Sequence, residues 1–146
     1  MKLNATSMDY QFTGLFSSLV KDYIQDKGSA RSFVAYAPTY DGVSKAIAER
    51  KKYPTNRKVL VEVLQKQYDS LSTSAGVKEN IQLLTSDTTL VVTTAHQPNI
   101  FTGPLYFFYK IIHAIQLSSD LKKQFPENNF VPVYYMGSED ADIEEV

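Results

Sequence analysis

Apolar residues at 12, 15, 16, 19, 20, 23 and 24 repeat with the i, i+3, i+4, i+7 spacing of one helix face, which predicts a helix over 12–26 that Lys27-Gly28-Ser29 stops. Residues 32–39 are ambiguous: Phe33-Val34-Ala35-Tyr36 could be extended before Pro38. Asp41-Gly42 suggests the cap of a helix through about residue 52, and Tyr53-Pro54-Thr55-Asn56 breaks it. Val59, Leu60, Val63, Leu64 and Tyr68 then share a face, so a helix is expected over 57–71. A short helix over 77–85 follows Ala75-Gly76. No internal repeat or low-complexity tract interrupts this order.

The pattern changes at Asp87. Residues 88–94, T-T-L-V-V-T-T, are β-branched and apolar and predict a strand. A helix is expected over 104–124, with Pro104 at its first position and Thr102 or Gly103 as cap. Its apolar residues (Leu105, Phe107, Phe108, Ile111, Ile112, Ile115) lie on more than one side, which predicts cover on both sides. Residues 125–129 end it, and F-V-P-V-Y-Y-M at 130–136 predicts a second strand.

Strand, long helix, strand reads as a right-handed parallel crossover. Two parallel strands end on the same edge of a sheet, and open α/β sheets take ligands beyond that edge. The polar loop A-H-Q-P-N-I-F-T-G-P at 95–104 and the segment G-S-E-D at 137–140 are therefore expected to face one crevice.

Composition narrows the class. Of 146 residues, 43% are hydrophobic and 21% charged, the balance of a globular domain of ordinary size. Net charge is −1, so overall charge points to neither nucleic acid nor anionic lipid. Its distribution is uneven: residues 1–86 hold twelve Lys/Arg against eight Asp/Glu, and residues 87–146 hold three against eight. There is no Cys, which removes disulfides, thiolate metal sites and Cys nucleophiles from this chain. The N-terminal residues lack an apolar signal region and no apolar run is long enough for a bilayer, so the reading is of a soluble, cytoplasmic protein.

The loop carries the first candidate chemistry. Gly103 allows close backbone approach, the start of the following helix favours an anion, and His96, Gln97 and Asn99 offer donors and acceptors around it. The same residues also make an ordinary strand-to-helix turn, and spacing alone does not choose between the two. Neither glycine-rich nucleotide fingerprint is present. Tyr106, Lys110 and His113 fall on one helical stripe. Lys110 either meets an anionic ligand or reaches out to water, and on the residues alone the second reading leads. His113 reads as a surface or packing residue, and His96, at a strand end, is the better candidate for chemistry. Glu139, Asp140 and Asp142 could hold an amine or a divalent ion, or serve as a base, with Ser138 as a helix cap. An acidic helix start is the plain alternative.

Two blocks, T-A-H-Q-P-N-I-F-T-G-P-L-Y-F-F-Y-K and V-P-V-Y-Y-M-G-S-E-D-A-D-I-E-E, together resemble the bacillithiol biosynthesis cysteine-adding enzyme family. Gln97, Gly103, Pro104, Leu105, Tyr106 and Lys110 match its G-Q-Q-x-G-L-x-x-G-P-L-Y-x-x-x-K pattern. Pro132, Val133, Glu139, Asp140, Asp142 and Glu145 match the strand and the E-D-H-D-x-x-E segment that follow. His96 stands where the family usually has Gln, and Ala141 where it has His, so His96 becomes the alternative base.

The resemblance implies an α/β fold with a Rossmann-like parallel βαβ core at 87–146, preceded by a mainly helical region at 1–86, as a fragment of a larger doubly wound domain. It implies a cytoplasmic ligase-like enzyme that joins L-cysteine to glucosaminyl-malate, with a coiled coil and further insertions beyond this segment. His96, Glu139, Asp140 and Asp142 are then expected to be catalytic. Gln97, Asn99, Thr102, Gly103, Tyr106, Lys110 and Ser138 are expected to bind substrate or anion. The cofactor is left open, with ATP or another nucleotide a candidate, and no metal site is assigned. Partners are the two small substrates, with neither nucleic acid nor membrane, and a homodimer could form through other parts of the protein. The alternative is a non-catalytic nucleotide- or sugar-binding α/β module.

Overall fold

The computed structural model describes residues 4–139. The chain divides into two compact units, Met1–Tyr53 and Pro54–Val146. This boundary lies well before the change of pattern at Asp87, because the two helices that precede the first strand share a core with the sheet.

In the first unit, the helix expected over 12–26 forms only in part. A 3-10 turn at Tyr10–Phe12 is followed by α1 (Ser18–Ile24). Gly14 adopts φ +68 between them, and the Ser17 side chain caps α1 by accepting from the Val20 amide at 3.4 Å. A left-handed glycine and a capping serine restart the helix where spacing alone would continue it. Residues 29–33 form a second 3-10 turn, and α2 spans Tyr40–Arg50. Its cap is Thr39, which accepts from the Gly42 amide at 3.2 Å, rather than Asp41-Gly42.

In the second unit, α3 (Arg57–Tyr68) and α4 (Ala75–Leu83) are followed by β1 (Thr89–His96), α5 (Leu105–Gln124) and β2 (Asn129–Met136). β1 and β2 pair in parallel, from Thr89 opposite Asn129 to His96 opposite Met136. Alternation along a strand sends successive side chains to opposite faces. Val131 and Val133 meet Val61 and Leu64 of α3, Val77 and Ile81 of α4, and Leu84 at the C-cap of α4. Tyr134 meets Phe107 of α5. The sheet therefore lies between α3 and α4 on one side and α5 on the other. Burying a side chain such as Leu84 or Val131 contributes about 1.5–3 kcal/mol.

Arg57 ties α3 to the entry of β1. Its guanidinium donates to the carbonyls of Leu84 at 3.1 Å and Thr89 at 2.9 Å, and pairs with Asp87 at 3.1 Å. At the other end of the crossover, Lys122 donates to the carbonyls of Pro126 at 2.8 Å and Asn128 at 2.9 Å. That contact satisfies the turn between α5 and β2.

Among the described residues, α5 is covered on one side and not on both. Ala114, Ser118 and Leu121 are buried toward the sheet, while Leu105, Phe108, Ile112 and Ile115 are exposed. One helix on a two-stranded sheet has only one side to bury. Among the described residues, no helix is long and apolar enough to cross a membrane.

Candidate functional site

The site forms where β1 and β2 end together. The amide of Gly137 donates to the carbonyl of His96 at 2.9 Å, which continues the ladder one step past the last strand pair. The Tyr134 hydroxyl donates to the same carbonyl at 3.2 Å. Parallel pairing thus brings the loop after His96 and the segment Gly137-Ser138-Glu139 to one edge. Asp140 and Asp142 lie outside the described residues, as does any helix that Ser138 would cap.

The loop between β1 and α5 is tight. Phe101, Thr102 and Gly103 all have positive φ, at 50, 75 and 68. A left-handed backbone is costly for the β-branched Thr102 and free for glycine. The amide of Gly103 donates to the Ile100 carbonyl at 3.0 Å and closes the turn. Space above Gly103 is held by Asn99: a Cβ at position 103 would lie 2.9 Å from Asn99 Cγ. Asn99 therefore packs closely over the bare glycine.

Pro104 is the N-cap of α5, with ψ 155, and Leu105 is its first helical residue; neither Thr102 nor Gly103 caps the helix through a side chain. An extended Pro104 turns its carbonyl into the first helical acceptor, for the Phe107 amide at 3.0 Å. The first amides of α5 have no helical acceptor and face the loop side.

His96 stands at the centre of a side-chain network. Its Nε2 lies 2.7 Å from the Tyr106 hydroxyl. Its Nδ1 lies 3.1 Å from the Gln97 carbonyl and 3.1 Å from Asn99 Nδ2. Asn99 Nδ2 also donates to the Gln97 carbonyl at 3.0 Å. Phe107 meets the imidazole edge-on at 5.8 Å and Tyr134 at 5.5 Å, so one half-buried ring braces both strand ends. Lys110, one turn beyond Tyr106, donates to the Ala95 carbonyl, which anchors α5 to the end of β1. An ammonium has three donors, so this contact leaves capacity for an anion. His113 is exposed, in keeping with a surface role.

On the β2 side, the Tyr135 hydroxyl donates to Glu139 Oε1 at 2.8 Å. The Glu139 carboxyl is held below its usual range, first by its own backbone amide and then by Tyr135. Tyr135 is pushed up by that same hydrogen bond and by the carboxylate charge. Glu139 is therefore fixed as a carboxylate at the strand end, suited to holding a cation.

Sequence reasoning missed Phe107, Tyr134 and Tyr135 as parts of the site. The register could have found the tyrosines: Thr94 and Ala95 pair with Tyr134 and Tyr135, next to His96.

All 146 residues match the family described as "Bacillithiol biosynthesis BshC, N-terminal Rossmann-like domain". A Flavobacterium johnsoniae protein named "Putative cysteine ligase BshC" is 44% identical over 141 residues, covering 95% of this chain and 27% of that protein. Proteins of the same name from Christiangramia forsetii (44%, covering 95% of this chain and 26% of that protein) and Bacillus cytotoxicus (30%, covering 88% and 24%) are also similar. The chain thus spans about a quarter of the length of the curated relatives it matches. With the parallel βαβ core and both sequence blocks in place, the chain belongs to the bacillithiol biosynthesis BshC family, as its N-terminal Rossmann-like domain.

Proposed function

We propose that this chain is the N-terminal part of a cytoplasmic ligase that forms an amide bond between L-cysteine and glucosaminyl-malate. The observation that carries this reading is the shared strand edge, where the His96 loop and Glu139 emerge beside each other. Relatives named as cysteine ligases support it.

Amide formation needs a carboxyl group held and neutralised, and an amine brought to it. The loop from Gln97 to Gly103, the open amides of α5 and the spare donors of Lys110 suit the malate side. Glu139, with Asp140 and Asp142 next in sequence, suits the cysteine ammonium. Holding both partners on one edge supplies much of the rate through proximity. With Ala141 in place of a histidine, His96 takes its place as the alternative base.

The full-length protein is to be incubated with glucosaminyl-malate and L-cysteine, with and without ATP, and the thiol product followed by mass spectrometry. Product formation supports the reading. Binding of glucosaminyl-malate without turnover, measured by calorimetry, would replace it with a non-catalytic binding module. Residues 1–146 alone are expected to give no turnover.

A further inference from the structure

We propose that His96 and Tyr106 form a proton relay whose outlet to the substrate is the Tyr106 hydroxyl, not the imidazole. This rests on the reading above, in that the nucleophile is an amine which must lose a proton. Both ring nitrogens of His96 are already engaged, Nε2 by Tyr106 Oη at 2.7 Å and Nδ1 by the Gln97 carbonyl and Asn99. The imidazole is half-buried and held by Phe107, whereas Tyr106 is 54% exposed. A hydroxyl can donate one bond and accept two, so Tyr106 keeps a free lone pair while bonded to His96.

Nδ1 keeps its proton throughout and donates it to the Gln97 carbonyl at 3.1 Å, which leaves the Nε2 lone pair facing the Tyr106 hydroxyl at 2.7 Å. Nε2 can then take a proton from Tyr106 while both ring nitrogens stay paired. The step balances as follows. Tyr106 Oη takes a proton from the substrate ammonium through its free lone pair, and its own hydroxyl proton passes to His96 Nε2. The amine becomes neutral, Tyr106 ends as a phenol, and His96 ends as an imidazolium donating from Nδ1 to Gln97. Tyr106 is the catalytic residue and His96 the positioning residue behind it. The ionisable groups packed around the pair are Lys110 on α5, bonded to the Ala95 carbonyl, and Tyr134 on β2, bonded to the His96 carbonyl, with Glu139 beyond Gly137.

The test uses the full-length protein and the variants Tyr106→Phe and His96→Gln. Tyr106→Phe keeps the ring and its packing; it is expected to lower kcat by about 100-fold with KM changed by no more than about threefold. His96→Gln is expected to lower kcat comparably and to abolish the acidic limb of the pH–rate profile. The double variant is expected to be no worse than either single one, because the two act as a unit. A Tyr106→Phe enzyme within about twofold of the parent kcat, or a His96→Gln enzyme that keeps its acidic limb, overturns the relay. Nitrogen-15 histidine NMR separates this outcome from failure of the ligase reading. If the parent does not turn over cysteine and glucosaminyl-malate, the ligase reading falls. A shift of the His96 Nε2 signal on Tyr106→Phe, assigned by its loss in His96→Gln, then still supports the coupled pair, and an unmoved signal overturns it.

Discussion

The carbonyl of His96 accepts hydrogen bonds from two groups of β2, the Gly137 amide at 2.9 Å and the Tyr134 hydroxyl at 3.2 Å. The first joins the two strand ends through backbone, and the second adds a side chain that can be altered alone. Tyr134→Phe keeps the ring against Phe107 and removes only the hydroxyl. The bond is partly exposed, so its loss is expected to cost about 0.5–1 kcal/mol in denaturant unfolding. Tyr134→Ala removes the packing as well and is expected to cost more. Equal losses in the two variants would mean that the ring does not brace the strand ends.

Arg57 predicts a sharper asymmetry. Its side chain is 19% exposed and donates to the carbonyls of Leu84 and Thr89, whereas its ionic partner Asp87 is wholly exposed. Arg57→Ala leaves two carbonyls without their charged donor and is expected to cost about 2–3 kcal/mol. Asp87→Asn is expected to leave the unfolding midpoint unchanged, because an exposed ion pair adds little. If Asp87→Asn cost as much as Arg57→Ala, the salt bridge rather than the carbonyl contacts would be what holds α3 to β1.

The parts of this fold that were legible in sequence are those decided locally. A β-branched run marked β1, an apolar and aromatic run marked β2, helical spacing marked α3, and punctuation by Gly76 and Pro104 marked α4 and α5. β1 nevertheless runs two residues past the expected 94, because Ala95 and His96 find partners in Tyr135 and Met136. A ladder ends where its partner does, which the strand's own residues do not record. The helix expected over 12–26 was interrupted by Gly14, whose positive φ is invisible to apolar spacing. Leu15 and Leu19, placed on that expected face, are 82% and 60% exposed. In the candidate site, His96 and Lys110 stood out as polar groups beside apolar segments. Their partners did not: Lys110 bonds to a backbone carbonyl fifteen residues away, and Phe107 looked like any other core residue.

Gly103 is expected to tolerate no side chain. At φ +68 an alanine costs about 1–2 kcal/mol from backbone strain alone. Its Cβ would also lie 2.9 Å from Asn99 Cγ. Gly103→Ala should therefore destabilise the chain and displace Asn99 from the Gln97 carbonyl. In Asn99→Ala the space is clear, so adding Gly103→Ala to it should cost less than Gly103→Ala does in the parent. Strict additivity in that cycle, measured by denaturant unfolding, would show that Asn99 does not fill the space above the glycine.

The Tyr135–Glu139 contact gives a prediction in pH. The Glu139 carboxyl lies below its ordinary value of 4.5, first through its own backbone amide and then through the Tyr135 hydroxyl. A lowered acid stabilises the folded form above 4.5, and that contribution is lost as pH falls through the lowered value. Tyr135 lies above its ordinary 10.0 because its hydroxyl donates to the Glu139 carboxylate. A raised phenol stabilises the folded form below 10.0, and that part is lost as pH rises through the raised value. The bond is thus complete across the neutral range and opens at both ends. Both side chains are at the surface, so unfolding hardly registers the change, and carbon-13 NMR titration of the carboxyl is the suitable measurement. Tyr135→Phe should move the Glu139 midpoint upward yet leave it below the ordinary value, because the backbone amide still donates. An unmoved midpoint would mean that the hydroxyl does not hold the carboxylate in solution, and Glu139 would then lose its fixed place at the strand edge.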